Sequence, residues 1–185
     1  MTLPDPANPE IERILLTGDE IAGRLDALAK EISADYEDKD LVVAAVLKGA
    51  FVLLADFARR LTIPCTFDFM AVSSYGSATK TSGVVRILKD LDVDIAGRHV
   101  LVVEDIVDSG LTLQYLLRNL RVRRPASVEV MALLVKSDHV RVDLPIAYRG
   151  FDIGNEFVVG YGLDYAERFR NLPYIGTLRP EAYRS

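Results

Sequence analysis

The chain has 185 residues, half of them hydrophobic and 26% charged, with 12 Gly and 8 Pro; this composition excludes collagenous, low-complexity and wholly disordered classes and fits one domain of ordinary size. Its 22 Lys and Arg against 27 Asp and Glu give a formal charge of -5, the wrong overall sign for a protein that grips nucleic acid through counterion release. The single Cys65 and the 2 histidines, His99 and His139, exclude an internal disulfide and a Cys-rich zinc site, and the lack of a leader pattern or an apolar run of about 18 residues argues against export and membrane insertion, so a cytoplasmic setting is expected.

Pro4, Pro6 and Pro9 mark residues 1–10 as a mobile tail, and residues 11–185 are expected to form a single domain. Thr17-Gly18-Asp19-Glu20 has the form of a capping box, and Ile21, Leu25, Leu28 and Ile32 follow at helical spacing, predicting a helix over Asp19 to Asp35. Leu41 to Leu47 is apolar on both faces, as a parallel strand covered by helices would be, and Lys48-Gly49 ends it. A helical pattern then runs from Phe51 to Leu61, followed by a strand over Cys65 to Val72. Ser73 to Gly83, SSYGSATKTSG, reads as a long polar loop. Strands are expected at Val84 to Leu88 and His99 to Val103, the latter ending in Glu104-Asp105. A helix over Leu113 to Val122, a strand over Ser127 to Val135 and a late strand over Phe157 to Tyr161 complete the pattern. Alternation of buried strands and helices implies an α/β domain built on a parallel sheet.

The segment Val100-Leu101-Val102-Val103-Glu104-Asp105-Ile106-Val107-Asp108-Ser109-Gly110-Leu111-Thr112 carries the chemistry. Ligands of a parallel sheet bind outside the carboxyl ends of the strands, and here a strand delivers two carboxylates to that edge. The following turn offers Asp108, Ser109, Gly110 and Thr112 just before a helix, where unpaired N–H groups and the positive dipole end suit a phosphate. Glu104 and Asp105 could accept hydrogen bonds from sugar hydroxyls or hold a hydrated Mg2+. An acid pair followed by a phosphate cradle describes a phosphorylated sugar. No P-loop pattern occurs, and no Gly-x-Gly-x-x-Gly follows a strand.

This segment resembles the phosphoribosyl-pyrophosphate (PRPP) signature of type I phosphoribosyltransferases. Leu47-Lys48-Gly49, Ser74-Tyr75-Gly76, Leu134-Val135-Lys136 and Phe157-Val158-Val159-Gly160-Tyr161-Gly162-Leu163-Asp164-Tyr165 occur in the order found in the 6-oxopurine branch, the hypoxanthine-guanine phosphoribosyltransferases. The likeness covers Leu41 to Arg170. It implies the type I fold: a central parallel sheet over about residues 41–150, flanked by helices, under a small hood built from the N-terminal segment and residues 151–185. It further implies that Glu104 and Asp105 hold the ribose hydroxyls and their Mg2+, with Asp164 a second metal contact, and that Asp108, Ser109, Gly110, Leu111 and Thr112 cradle the 5'-phosphate. Asp108 would face the purine as the catalytic residue, Lys136 would donate to the 6-oxo group, Phe157 would stack on the base and Val158 would contact its edge, with Asp164 nearby. Lys48, Gly49 and Arg170 would bind pyrophosphate, the Leu47-Lys48 peptide would be cis, and Ser74 and Tyr75 would belong to a loop that closes over the reacting centre. Leu111 stands where some relatives place Lys.

The activity implied is Mg2+-dependent transfer of the phosphoribosyl group from PRPP to hypoxanthine or guanine, giving IMP or GMP and pyrophosphate in purine salvage, by a homodimer or homotetramer with the apolar helix Phe51 to Leu61 as a candidate interface. Competing readings are a xanthine-preferring enzyme, a non-catalytic nucleotide- or RNA-binding regulator of the same fold, and a generic nucleotide-binding module. Other features read as structural. Asp90, Asp92 and Asp94 begin like a calcium loop but lack its Gly and Glu, so a solvated turn is expected. Arg121, Arg123 and Arg124 suit a helix C-terminus, and His99, His139 and Cys65 carry no motif.

Overall fold

The computed structural model describes residues 8–75 and 84–182. Among the described residues are nine strands, β1 (Ile11–Leu16), β2 (Leu41–Leu47), β3 (Cys65–Tyr75), β4 (Val84–Lys89), β5 (His99–Val107), β6 (Ser127–Val135), β7 (Ile146–Asp152), β8 (Val158–Val159) and β9 (Ile175–Leu178), three helices, α1 (Gly18–Asp35), α2 (Phe51–Ala58) and α3 (Leu111–Val122), and a final 3-10 turn at Pro180–Ala182. Six strands form the central sheet in the order β4-β3-β2-β5-β6-β7, and β1, β9 and β8 form a second sheet.

The central sheet departs from the expected all-parallel form at one edge. β2, β3, β5, β6 and β7 run parallel, whereas β4 pairs antiparallel with β3. The reason is local: β3 and β4 are the two arms of one hairpin, and a hairpin reverses chain direction. Ser73, Ser74 and Tyr75, expected in a loop, extend β3 and pair with Arg86, Val85 and Val84; residues 76–83 of that loop lie outside the described residues. The late strand shrinks to β8 and joins the second sheet, pairing with β9. β1, β7 and β9 lie outside the expected set because their apolar residues do not keep a clean period.

Alternation along the strands sorts the core into two layers. Leu41, Val43 and Ala45 of β2 and Leu101 and Val103 of β5 face the layer shared with α1 and α2, whereas Val42, Ala44 and Val46 and Val100 and Val102 face α3. Val158, Tyr161, Leu163 and Ile175 of the second sheet and its loops join the first layer, while Ile11, Val159, Phe169, Leu172 and Leu178 make a small core of their own. The capping box forms as expected: Thr17 Oγ1 accepts from the Glu20 N–H at 3.3 Å and Glu20 accepts from the Thr17 N–H at 2.8 Å. α2 ends at Ala58, three residues early, where the Arg60 N–H bonds the Phe57 carbonyl and Arg60 reaches Asp26 of α1 at 2.7 Å.

Residues 1–7 of the expected tail lie outside the described residues. Pro9 and Glu10 are held, the first by Arg179 at 2.8 Å and the second by an ion pair with Arg168. Among the described residues no helix is long and apolar enough to cross a membrane. Cys65 is half-buried, and burial pushes its thiol up, as suits a spectator. His99 bonds Ser127 Oγ at 2.8 Å and meets Tyr36 edge-on. Arg123 pairs with Asp90, so the three-arginine cluster is partly neutralised.

Candidate active site

β5 runs to Val107, four residues beyond the expected end, because Glu104, Ile106 and Val107 pair with Ala132, Leu134 and Val135 of β6. The acid pair therefore lies inside a strand. Successive strand residues point to opposite faces, so Glu104 goes to the α3 side and Asp105 to the side of α2 and the second sheet. Glu104 lines a pocket of about 240 Å³ with Val107, Asp108, Ser109, Gly110 and Thr112, while Asp105 lines a cavity of about 400 Å³ with Lys48, Lys136, Phe157, Asp164 and Arg170. Ile106 and Asp108 line both, so the two spaces adjoin at the tip of β5.

The smaller pocket sits at the opening of α3, which begins at Leu111, two residues earlier than expected. Gly110 caps the helix with φ 79 and no side-chain cap bond, leaving the N–H groups of the first turn without a partner inside the helix. A Cβ at Gly110 would lie 2.6 Å from Leu144 Cδ1. The side chain of Leu111 lines a different groove, along the outer face of α3 with Tyr115 and Arg118. Only its backbone can serve the pocket.

The larger cavity is assembled from both sheets. The Leu47-Lys48 peptide is cis, and the turn after it brings Gly49 against Asp105, where a Cβ would fall 1.6 Å from Oδ2. Gly162, at φ +100, touches the same turn: a Cβ there would lie 2.1 Å from the Gly49 carbonyl oxygen. Arg170 donates to the Gly162 carbonyl at 2.8 Å and pairs with Asp164 at 2.8 Å, and Glu167 bridges Lys48 at 3.1 Å and Arg170 at 3.3 Å. Lys136 and Val158 line the same cavity, and Phe157, 42% exposed, meets Tyr165 edge-on at 5.8 Å.

Charge is unevenly compensated here. Burial, then the neighbouring Asp105, hold the Glu104 carboxyl well above the usual range. Burial pushes Asp105 up to about 6, with Arg170 opposing the rise and Asp164 adding to it. Burial would also raise Asp108, but hydrogen bonds and charge from Lys136 and His139 outweigh it and hold that carboxyl low. Among the described residues no three candidate ligands converge on one point. Glu104, Asp105 and Asp164 line the two adjoining spaces as carboxylates, a donor set that fits Mg2+, a hard cation usually held by one or two carboxylates together with substrate phosphates.

The structure thus gathers Lys48, Gly49, Asp105, Asp108, Lys136, Phe157, Val158, Asp164 and Arg170 around one cavity and Glu104, Asp108, Ser109, Gly110 and Thr112 around its neighbour. Ser74 and Tyr75 stand at the end of β3. Among the residues that come to the site without having been singled out for it in the sequence are three of note: His139, 3.2 Å from Asp108; Glu167; and Leu163, a cavity wall. Only Leu163 and Glu167 had a signal, their place in or just after the Phe157 to Tyr165 run.

The profile of the phosphoribosyl transferase domain matches residues 13–166. The chain belongs to the phosphoribosyl transferase domain family. It is 54% identical to the hypoxanthine-guanine phosphoribosyltransferase of Mycobacterium avium, over 97% of this chain and 94% of that one, and 45% identical to the protein of the same name from Bacillus subtilis, over 95% and 98%. A crystal structure of a hypoxanthine phosphoribosyltransferase from Staphylococcus aureus superposes with a TM-score of 0.90 at 41% identity, covering 94% of this chain and 95% of that one. The type I phosphoribosyltransferase fold, with its mixed sheet flanked by helices, is therefore the fold of this chain.

Proposed function

We propose that this phosphoribosyltransferase works in purine salvage, transferring the 5-phosphoribosyl group of PRPP to a ring nitrogen of hypoxanthine or guanine to give IMP or GMP and pyrophosphate. The observation that carries this reading is the shared boundary at Asp108: a pocket suited to a phosphate on one side, and on the other a cavity holding an ammonium, an aromatic ring and two cations. The 5'-phosphate takes the N–H groups and hydroxyls of Ser109 to Thr112, and the ribose hydroxyls meet Glu104 and Asp105. Lys48, the turn at Gly49 and Arg170 hold the pyrophosphate. The base stacks on Phe157, with Val158 at its edge, and Lys136 donates to its 6-oxo group. A purine with an amino group at that position would leave the Lys136 donor unpaired, so adenine is rejected.

In the reaction the bond from the ribosyl carbon to the pyrophosphate oxygen breaks, a bond to the purine nitrogen forms, and the purine loses a proton. The transition state has oxocarbenium character, as in glycosyl transfer generally. Lys48 and Arg170 offset charge on the departing pyrophosphate, and Asp108 accepts a proton or hydrogen bond from the purine N7. Glu104, Asp105 and Asp164 are the residues that would hold Mg2+, which when bound neutralises pyrophosphate charge. The same proposal includes a cytoplasmic setting, supported by the single cysteine, and a homodimer or homotetramer, supported by the exposed Phe51 at the head of α2.

The test is nucleotide formation by the purified protein with PRPP and Mg2+, offering hypoxanthine, guanine, xanthine and adenine separately. Turnover of hypoxanthine or guanine, abolished by EDTA, is expected. Preference for xanthine would shift the base assignment, and silence with all four would refute catalysis in favour of a nucleotide-binding regulator.

A further inference from the structure

One short turn places two donors on Asp108. Lys136 follows β6, and its carbonyl accepts the N–H groups of His139 at 2.8 Å and Val140 at 3.2 Å, closing the chain back on itself. That turn brings Lys136 Nζ to Asp108 Oδ2 and His139 Nδ1 to Asp108 Oδ1, each at 3.2 Å. An ionised carboxylate only accepts, so in this arrangement Nδ1 carries the hydrogen. The two donors do not have the same work. The Lys136 side chain is 11% exposed on the cavity wall, where the proposed function spends it on the 6-oxo group of the base.

Lys136 Nζ carries three N–H donors on a flexible stem, so a base that draws it toward a 6-oxo group loosens its 3.2 Å hold on Asp108 Oδ2. An aspartate carboxylate turns freely about its last torsion unless something holds it. We infer that His139 is a positioning residue for Asp108: it keeps Oδ1 fixed while Lys136 is engaged by the purine, leaving Oδ2 aimed at the base. The inference rests on the proposed roles of Asp108 and Lys136. Misplacing a reacting group by a fraction of an ångström is enough to slow a bound reaction without weakening substrate binding.

The experiment compares His139→Ala, His139→Asn, Asp108→Asn and the double variant Asp108→Asn with His139→Ala in steady-state phosphoribosyl transfer. His139→Ala is expected to lower kcat about 10-fold while KM for PRPP changes less than about twofold. His139→Asn, whose amide can donate near the place of Nδ1, should recover most of the loss. In the Asp108→Asn background the alanine change should have no further effect, since a residue acting through Asp108 is silent without it. A wild-type kcat in His139→Ala, no recovery in His139→Asn, or an undiminished loss in the double variant would each overturn the positioning role. Wild-type turnover in Asp108→Asn is a separate result: it removes the role of Asp108 itself, and this inference with it.

Discussion

Asp108 is the residue on which the two halves of the site meet, and its environment suits a base that must stay ionised. Asp108 is exposed, and Lys136 and His139 outweigh its partial desolvation and hold its carboxyl low. Replacing it by Asn keeps the shape and removes the proton acceptor, so Asp108→Asn is expected to lower kcat by about 10² or more with PRPP binding largely intact. Equal turnover in the variant would rule the role out. Lys136→Met should lower kcat/KM for hypoxanthine by about 10²-fold and narrow the gap to adenine, measured with both bases in competition. Most of these side chains were legible in the sequence, because Glu104 to Thr112 is a continuous segment whose chemistry needs no partner to be recognised. His139 was not legible. It lies 31 residues from Asp108, and only the turn after β6 makes them neighbours.

At the scale of elements, the main surprise is the control of the β3–β4 hairpin by one buried acid. Asp68, on β3, accepts from the N–H groups of Phe69 at 2.7 Å, Asp92 at 2.7 Å and Val93 at 3.1 Å, and Lys89 of β4 pairs with it at 3.4 Å. It fastens the turn of Asp90, Asp92 and Asp94, which are exposed as a solvated turn requires, with Leu91 and Ile95 buried beneath. Burial raises the Asp68 carboxyl, but its three N–H donors and Lys89 more than offset this and leave it lowered from 3.8. A carboxyl lowered in the folded state contributes stability above its unfolded value, and that contribution is lost as pH falls through the lower, folded value. Asp68→Ala should therefore cost about 1–3 kcal/mol at neutral pH by orphaning three part-buried N–H groups, and its stability should fall less steeply than that of the wild type below pH 4. Denaturant melts across that range measure both. A wild-type midpoint at pH 7 would refute the clamp.

The whole molecule makes its site by docking the second sheet onto the first. Gly162 meets the turn at Gly49, Gly49 meets Asp105, and Arg170 ties Gly162 to Asp164. Gly162→Ala would place a methyl 2.1 Å from a backbone oxygen at a positive φ, where the second sheet must either shift or strain. It is expected to lower kcat/KM for PRPP at least about 10-fold, read by steady-state kinetics, and unchanged kinetics would show that this contact does not set the cavity. The alternation of buried strands and helices, the capping box of α1, and the acid pair and phosphate turn around Asp108 follow from the amino-acid order alone, because each depends on residues near one another along the chain. The tertiary structure alone decided that β1, β8 and β9 form a separate sheet, which residues wall the spaces that Glu104 and Asp105 face, and that His139 reaches Asp108. Those outcomes depend on which surfaces come together after distant segments have folded, and side-chain pattern within a short window carries no record of a partner 30 or 100 residues away.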